Sequence, residues 1–328
     1  MVDIIIPVYR PEHTFRLLLQ KLQEQTFVVH KVIIANTEQR LWEEYIQKEY
    51  GSSEAASEEF HQMPFALEIF HVKKEEFDHG GTRRLAVQRS AADIFICMTQ
   101  DAIPVDDCLV EQLIKPFQDD RVAAVCGRQI PKQDCSVIEA YTRSFNYPET
   151  DMVKAKEDLD RLGIKTFFCS NVCAAYRKDI WEELGGFEAH TIFNEDMIYA
   201  GHAVGAGYLV AYAANAVVVH SHNYSAGEQF RRNFDLAVSQ KQHPEVFSGI
   251  SSESEGVRMV MNTAKYLLTL KKPWLIINLV WQSAFKYLGY LAGQRYESMK
   301  KSRIIRFTMN PGYWHALWER EKETEQKK

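Results

Sequence analysis

A glycine-rich phosphate loop, zinc-type cysteine pairs and an unbroken apolar span are all missing from this chain. After the first apolar run the residues are "PVYRPEH", with neither glycine nor lysine among them. That excludes a strand-end loop that cradles triphosphates on glycine amides and a lysine, and with it a nucleotidyltransferase built on one. The six cysteines, Cys97, Cys108, Cys126, Cys135, Cys169 and Cys173, include no CxxC pair. Free, partly buried thiols in a reducing cytosol are expected. The opening "MVDIIIPVYRPEH" has no basic stretch and no small-residue cleavage site, so a secretory signal is not expected. The most membrane-like segment, "KKPWLIINLVWQSAFKYLGYLAGQR" (271–295), is interrupted by Asn278, Gln282, Ser283 and Lys286. Such groups are costly at mid-bilayer, and a transmembrane span is disfavoured. Neither a repeat nor a low-complexity tract occurs, and no nucleic-acid partner is expected.

What is present is an ordinary globular composition, 46% hydrophobic and 25% charged over 328 residues. That length suits one large domain, or one domain with an appendage. The net charge of −5 hides an asymmetry: from Val257 to Lys328 there are 14 basic residues against 5 acidic ones. A basic tail on an acidic body suggests two jobs.

Along the first 130 residues short apolar runs alternate with helical patterns. The runs at 2–8, 31–37, 65–72, 94–100 and 122–130 read as strands. Helices are expected at 12–25, from about 38, and at about 82–91. Strands apolar throughout and separated by helices predict an α/β fold: a mixed, mostly parallel, Rossmann-like sheet covered on both faces. The polar stretch 51–62 reads as a surface loop, and 147–165 as a charged surface excursion. A short helix over 178–187 should stop at Gly185 and Gly186. Another helix opens on acidic residues at 193–207, and 208–222 forms one or two strands. From about Ser251 the pattern is helical. The expected division is therefore a domain over 1–250 and a basic, aromatic-rich helical extension over 251–328. Two readings of that extension stand open. It either lies in a membrane interface, with "KKSRIIR" (300–306) near anionic headgroups, or it packs on protein, including a homodimer partner.

In such sheets ligands gather at the carboxyl ends of strands. "IFICMTQDAIP" ends there on a lone carboxylate, Asp101, which either caps a following helix or holds a divalent metal and, through it, a diphosphate. His220 and His222, two apart on a strand, point to one face and are either ligands or surface residues. Glu195 and Asp196 open a helix, where the dipole favours acids and where a general base could also sit. In "FDHGGTRRLAV" (77–87) a Gly-Gly helix start near Arg83 and Arg84 suits phosphate oxygens or is simply a turn.

Taken together and in this order, "IIIPVYR", "TQDAIP", "GGF" followed by "NEDMIYAGHAVGAGY", and "HSH" resemble glycosyltransferase family 2, enzymes of the GT-A fold. "FDHGGTRRLAV", "MTQDAIP" and "HSHNYS" are most similar to bacterial rhamnosyltransferases. The resemblance covers roughly residues 1–245. It implies an inverting, metal-dependent transfer in which Asp196 is the base and Glu195 supports it. Asp101 and His222, or alternatively His220, are implied as ligands of Mn²⁺ or Mg²⁺, with Thr99 standing where relatives carry the first acid of Asp-x-Asp. Pro7, Tyr9, Arg10, Asn36 (in place of a common aspartate), Asp78, His79, Gly80, Arg84, Thr99 and Gln100 are implied to bind the nucleotide-sugar. "EQFRRNF" has Q-x-x-R spacing, so Gln229 and Arg232 close over the diphosphate or decorate an amphipathic helix, with Asn233 in place of a tryptophan. The implied donor is dTDP-L-rhamnose. The implied acceptor is a saccharide, lipid-linked and at the inner face of the cytoplasmic membrane. The rival readings are a transferase that uses a UDP- or GDP-sugar, a nucleotidyltransferase on a similar sheet, and a catalytically inactive glycan- or nucleotide-binding scaffold.

Overall fold

The computed structural model describes residues 1–249 and 253–326. The expected boundary at 250/251 falls outside those residues. The chain runs β1 (Val2–Tyr9), α1 (His13–Gln23), β2 (Lys31–Thr37), α2 (Gln39–Tyr50), α3 (Ser53–His61), β3 (Ala66–Val72), α4 (His79–Val87) and β4 (Ile94–Met98). Next come β5 (Ile103–Pro104), α5 (Leu109–Ile114), β6 (Val122–Ile130), α6 (Val137–Asn146), β7 (Met152–Lys154), α7 (Leu159–Leu162) and β8 (Cys173–Arg177). Then follow α8 (Lys178–Glu183), α9 (Glu195–Gly205), β9 (Leu209–Val219), α10 (Ala226–Gln242) and α11 (Pro244–Phe247). The last helices are α12 (Glu253–Thr269), α13 (Leu275–Gly293), α14 (Lys301–Phe307) and α15 (Pro311–Gln326).

The strands form one mixed sheet in the order β3-β2-β1-β4-β8-β6-β9-β5, with β7 added on β9. The β3-β2-β1-β4 half is parallel. β8 then enters antiparallel to both β4 and β6, and β6 pairs parallel with β9. In β1, Ile4, Ile6 and Val8 belong to the core on one face, while Ile5 belongs to the core on the other. A strand buried on both sides has no solvent face to mark with polar residues, which is why these segments read as continuous apolar runs. Gly185 and Gly186 end α8's turn at φ +82° and +73°, conformations that glycine adopts without penalty.

Two segments differ from expectation. Residues 51–62 are not a loop but contain α3, whose start is capped by Ser52 accepting from the Ala55 N–H at 3.1 Å. Its inner side is held by buried Ala56, by Phe60 against Tyr50, and by Glu59 paired with Arg16. So polar a helix is stabilised by tertiary contacts that periodicity does not show. The excursion 147–165 includes β7, and its Lys154 is buried with the ammonium on the Phe168 carbonyl.

The C-terminal helices return to the sheet's helical cover. α13 crosses α10 at close range, because a Cβ on Gly289 would stand 2.1 Å from the Phe230 carbonyl oxygen and one on Gly293 2.4 Å from that of Phe234. Trp314 of α15 is buried with Phe234 and Ile304. No helix among the described residues is long and apolar enough to cross a membrane.

Candidate active site

At the strand ends, Gln100 ties β1 to β4. Its Oε1 accepts from the Tyr9 N–H at 2.8 Å and its Nε2 donates to the Tyr9 carbonyl at 3.0 Å. The turn so fixed presents Asp101, whose oxygens face Lys132 Nζ at 3.1 Å, His220 Nε2 at 3.5 Å and His222 Nε2 at 3.8 Å. The next helix begins only at Leu109, with Cys108 at its cap. Asp101 is therefore not a helix cap.

The tautomer of His220 follows from its neighbours. Gln129 Oε1 accepts from Arg143 Nη1, which fixes the amide's orientation, and the same oxygen faces His220 Nδ1 at 3.1 Å. Nδ1 must carry the proton. Burial pushes His220 down to about 3, so the ring is neutral and Nε2 presents a lone pair to Asp101. Burial also acts to raise Asp101, but the Lys132 ammonium on its carboxylate outweighs it and holds the carboxyl below its usual range. A lone pair and a carboxylate facing each other call for a cation. The ligand atoms of Asp101, His220 and His222 all lie within 4.8 Å of one another, and a set of one oxygen and two imidazoles fits a borderline divalent ion. Gln129 holds the His220 ring as outer partners hold metal-ligating histidines.

The acid pair lies at the start of α9. Glu195 is buried against Arg83, Nη1 to Oε1 at 3.0 Å, and accepts from Asn171 Nδ2 at 3.1 Å. Burial works to raise it, yet Arg83, His79 and Asn171 hold it below the ordinary range. Asp196 is half-buried and accepts the Asn171 N–H at 2.9 Å and its neighbour's, Met197, at 2.8 Å. Burial first, and the adjacent Glu195 charge second, push Asp196 up to about 7. Two neighbouring carboxyls are thus separated in acidity, one locked as a carboxylate and one able to take a proton near neutrality.

Residues 170–172 join both halves. The Ser170 hydroxyl accepts from Gln129 Nε2, Asn171 holds Glu195 and Asp196, and the Val172 carbonyl accepts the Thr99 N–H at 3.1 Å. At Tyr9, which Gln100 holds, a cleft of about 370 Å³ opens between Tyr9, Thr37, Asp78 and His79 on one side and Met309–Tyr313 on the other. Arg10 lies 5.2 Å from the Tyr9 ring and Lys74 5.9 Å from it. The site therefore combines a cation-ready cluster, a carboxyl near neutrality and a cleft with an aromatic and basic edge.

The model for "Glycosyl transferase family 2" matches residues 3–185. The chain is 38% identical to the O-antigen chain rhamnosyltransferase RfbN of Salmonella typhimurium, over 96% of both proteins. It is 40% identical to the O-antigen chain rhamnosyltransferase WbaN of Salmonella anatum, over 76% of this chain and 79% of that one. It belongs to glycosyl transferase family 2. Solved structures share the fold. The mannosyltransferase PcManGT from Pyrobaculum calidifontis, in complex with GDP-Man and Mn²⁺, superposes with a TM-score of 0.55 at 16% identity, covering 97% of this chain and 87% of that one. S. aureus TarS 1-349 with UDP-GlcNAc gives 0.50 at 12% identity, covering 90% and 91%. The protein is a glycosyltransferase of GT-A fold with C-terminal helices.

Other residues singled out in the family 2 sequence pattern lie as follows. Asp78 caps α4, accepting the Gly81 N–H at 2.6 Å, and also accepts the His190 N–H at 3.1 Å. Gly80 is required by packing, since a Cβ there would stand 1.7 Å from the Glu188 carbonyl oxygen. Both glycines lie inside the first turn of α4, which starts earlier than periodicity predicted because Asp78 caps it. Arg84 donates to the Gly185 and Phe187 carbonyls, whereas Arg83 is the arginine that meets the acid pair. Asn36 is fully buried on Glu38 and His71, its Oδ1 unpartnered. The Thr99 hydroxyl is likewise buried without a partner. Pro7 lies half-buried in β1, opposite Ala35. Arg232 lies over Phe193 at 4.6 Å and Tyr224 at 5.7 Å, and Gln229 is buried in the same helix.

Sequence reasoning missed Gln129, Lys132, Asn171 and the 309–313 wall. "CSNVC" carried no signal, because the antiparallel insertion of β8 that brings it to the site is a topological fact.

Proposed function

We propose that the chain transfers L-rhamnose from dTDP-L-rhamnose to a saccharide acceptor, inverting the anomeric carbon, in cell-surface polysaccharide synthesis. What carries this reading is the pairing of the Asp101–His220–His222 cluster with a carboxyl at about 7, joined through residues 170–172, in a chain so similar to named rhamnosyltransferases. The cleft beside Tyr9 takes the nucleotide, with Arg10 and Lys74 near its phosphates. Asp101, His220 and His222 hold a divalent ion, Mn²⁺ suiting two imidazoles better than Mg²⁺. When bound, that ion supplies positive charge to the departing diphosphate. Asp196 accepts the acceptor hydroxyl's proton as the oxygen attacks the anomeric carbon. The new C–O bond forms on the face opposite the breaking bond to phosphate, and the diphosphate leaves with the electron pair. Glu195, locked by Arg83, keeps Asp196 basic. Such general-base help supplies roughly 10²–10⁴-fold. The enzyme acts in the cytoplasm at the inner membrane face, where a lipid-linked acceptor is found.

Thermal unfolding with dTDP, UDP or GDP, each with and without Mn²⁺, tests the donor. A ligand at about 100 times its dissociation constant adds about 2.7 kcal/mol, a shift of roughly 5–10 °C. A shift with dTDP plus Mn²⁺ alone is expected. A shift confined to UDP or GDP would discard the sugar, and none at all would discard the donor site.

A further inference from the structure

The cleft, the metal-ready cluster and the buried acids are absorbed by the site above. What the fold leaves unaccounted for is the outside of its C-terminal hairpin. α12 and α13 are joined by a short turn, residues 270–274, and their inner sides meet on α6. There Val260, Ala264 and Leu267 pack with Leu275, Ile276 and Leu279 against Val137 and Ile138. Tyr266 stacks on Tyr141 of α6 with ring centroids 4.5 Å apart. The hairpin is therefore seated on its own domain, through one side only.

The other side is apolar and open. On α13 and just before it, Trp274, Ile277, Trp281 and Leu288 recur at helical spacing, the first three 62%, 77% and 58% exposed. On α12, Val257, Met261 and Leu268 are more than half exposed. A water-facing helix is ordinarily polar on such a face, and an apolar patch of this extent marks an interaction surface. Tryptophans are the side chains that favour a boundary between water and hydrocarbon.

Charge selects the partner. From Val257 to Gly293 the hairpin carries Arg258, Lys265, Lys271, Lys272 and Lys286 and no Asp or Glu, the two acids of α12, Glu253 and Glu255, preceding that stretch. Lys286 is partly buried, within electrostatic reach of Glu139, Arg232 and Arg143, and burial lowers its pKa. Lys271 and Lys272 lie in the turn. Their backbone N–H groups close the end of α12 onto the Leu268 and Leu267 carbonyls, with Lys271 at φ +56°. Glycine is the usual residue in that left-handed conformation, so this turn holds a lysine at a conformational cost. A two-fold dimer through this face would set one cationic patch against its copy. An anionic lipid surface offers the opposite charge to the lysines and hydrocarbon to the aromatic rings.

We propose that the exposed face of the α12–α13 hairpin docks on an anionic membrane, with the helices lying in the interface and the Lys271–Lys272 turn among the headgroups. The site lies one helix away. α6, on which the hairpin rests, sends Arg143 to Gln129, the residue that holds His220. The docking face does not depend on which sugar or base the enzyme uses.

The test is co-sedimentation of the full chain with phosphatidylcholine vesicles, with and without phosphatidylglycerol. Binding to the anionic vesicles that weakens with salt is expected. Lys271→Gln with Lys272→Gln should weaken partitioning about thirty-fold, and Trp274→Ser with Trp281→Ser should abolish it. The side chains changed are exposed or partly exposed, and stabilisation by dTDP plus Mn²⁺ should stay as in the parent. If the donor reading fails, that stabilisation is absent in parent and variants alike while lipid binding persists. Failure of the parent to bind, or equal binding to neutral vesicles, would overturn the proposal. So would a dimer, seen by ultracentrifugation, that Trp281→Glu dissociates in a chain with no affinity for lipid.

Discussion

Replacing Asp196 with asparagine separates proton transfer from architecture. In the native site Asp196 accepts two backbone N–H groups, from Asn171 at 2.9 Å and Met197 at 2.8 Å. An asparagine keeps the shape and one acceptor but turns an amide toward the other N–H. The folded state should lose about 1–3 kcal/mol, the cost of one unsatisfied buried donor. Catalysis should lose far more, about 10²–10⁴-fold in kcat, because an amide accepts no proton. The pH profile adds a second signature. A base pushed up to about 7 by burial and by the Glu195 charge is mostly protonated in mild acid. Native kcat should therefore rise roughly tenfold from about pH 6 to about pH 8 and then level off. The asparagine variant's residual rate should be flat over that range. Release of nucleoside diphosphate with acceptor present measures both, and thermal unfolding with dTDP plus Mn²⁺ checks that donor binding survives. A variant within tenfold of native turnover, or a native rate indifferent to pH, would refute the base assignment.

Glu195→Gln removes the charge that helps raise Asp196, so the midpoint of the pH profile should move to lower pH. It also leaves Arg83 buried without its counter-charge, and urea unfolding should show a loss of about 3–5 kcal/mol. Gly289→Ala places a methyl against the Phe230 carbonyl oxygen, and the unfolding free energy from urea titration should fall by about 1–3 kcal/mol as α13 shifts on α10. Asp235 is buried and accepts from the Thr308 hydroxyl at 2.6 Å, the Met309 N–H at 2.9 Å and Asn310 Nδ2 at 3.2 Å, at the foot of the 309–313 cleft wall. Asp235→Ala should raise KM for the donor about tenfold with kcat nearly unchanged. A fall in kcat at constant KM would place the effect elsewhere.

The parallel half of the sheet was legible because its strands are short and mostly apolar, and β2 there, like β6 beyond β8, begins and ends where the pattern puts it. α3 was not legible, since its composition is that of a loop and its stability comes from Tyr50, Arg16 and a buried alanine far from any periodic signal. Within the candidate site, residue types at strand ends could be picked out one by one. Their partners could not. Arg83 and Arg84 are neighbours in sequence with the same side chain, and only the packing of α4 decides which guanidinium meets Glu195. Likewise only Gln129, held by Arg143, decides which nitrogen of His220 is bare.

By itself the sequence determined most of the elements, the apolar faces and the presence of acids and histidines where strands and helices meet, because these depend on local spacing and on burial. Tertiary structure decided the acidity of Asp196, the tautomer of His220 and the use of residues 309–313 as one wall of the cleft beside Tyr9. Each of those depends on which groups, distant along the chain, are brought within a few ångströms and taken out of water. There Coulomb forces and desolvation are strong enough to set a protonation state, and no local pattern records them.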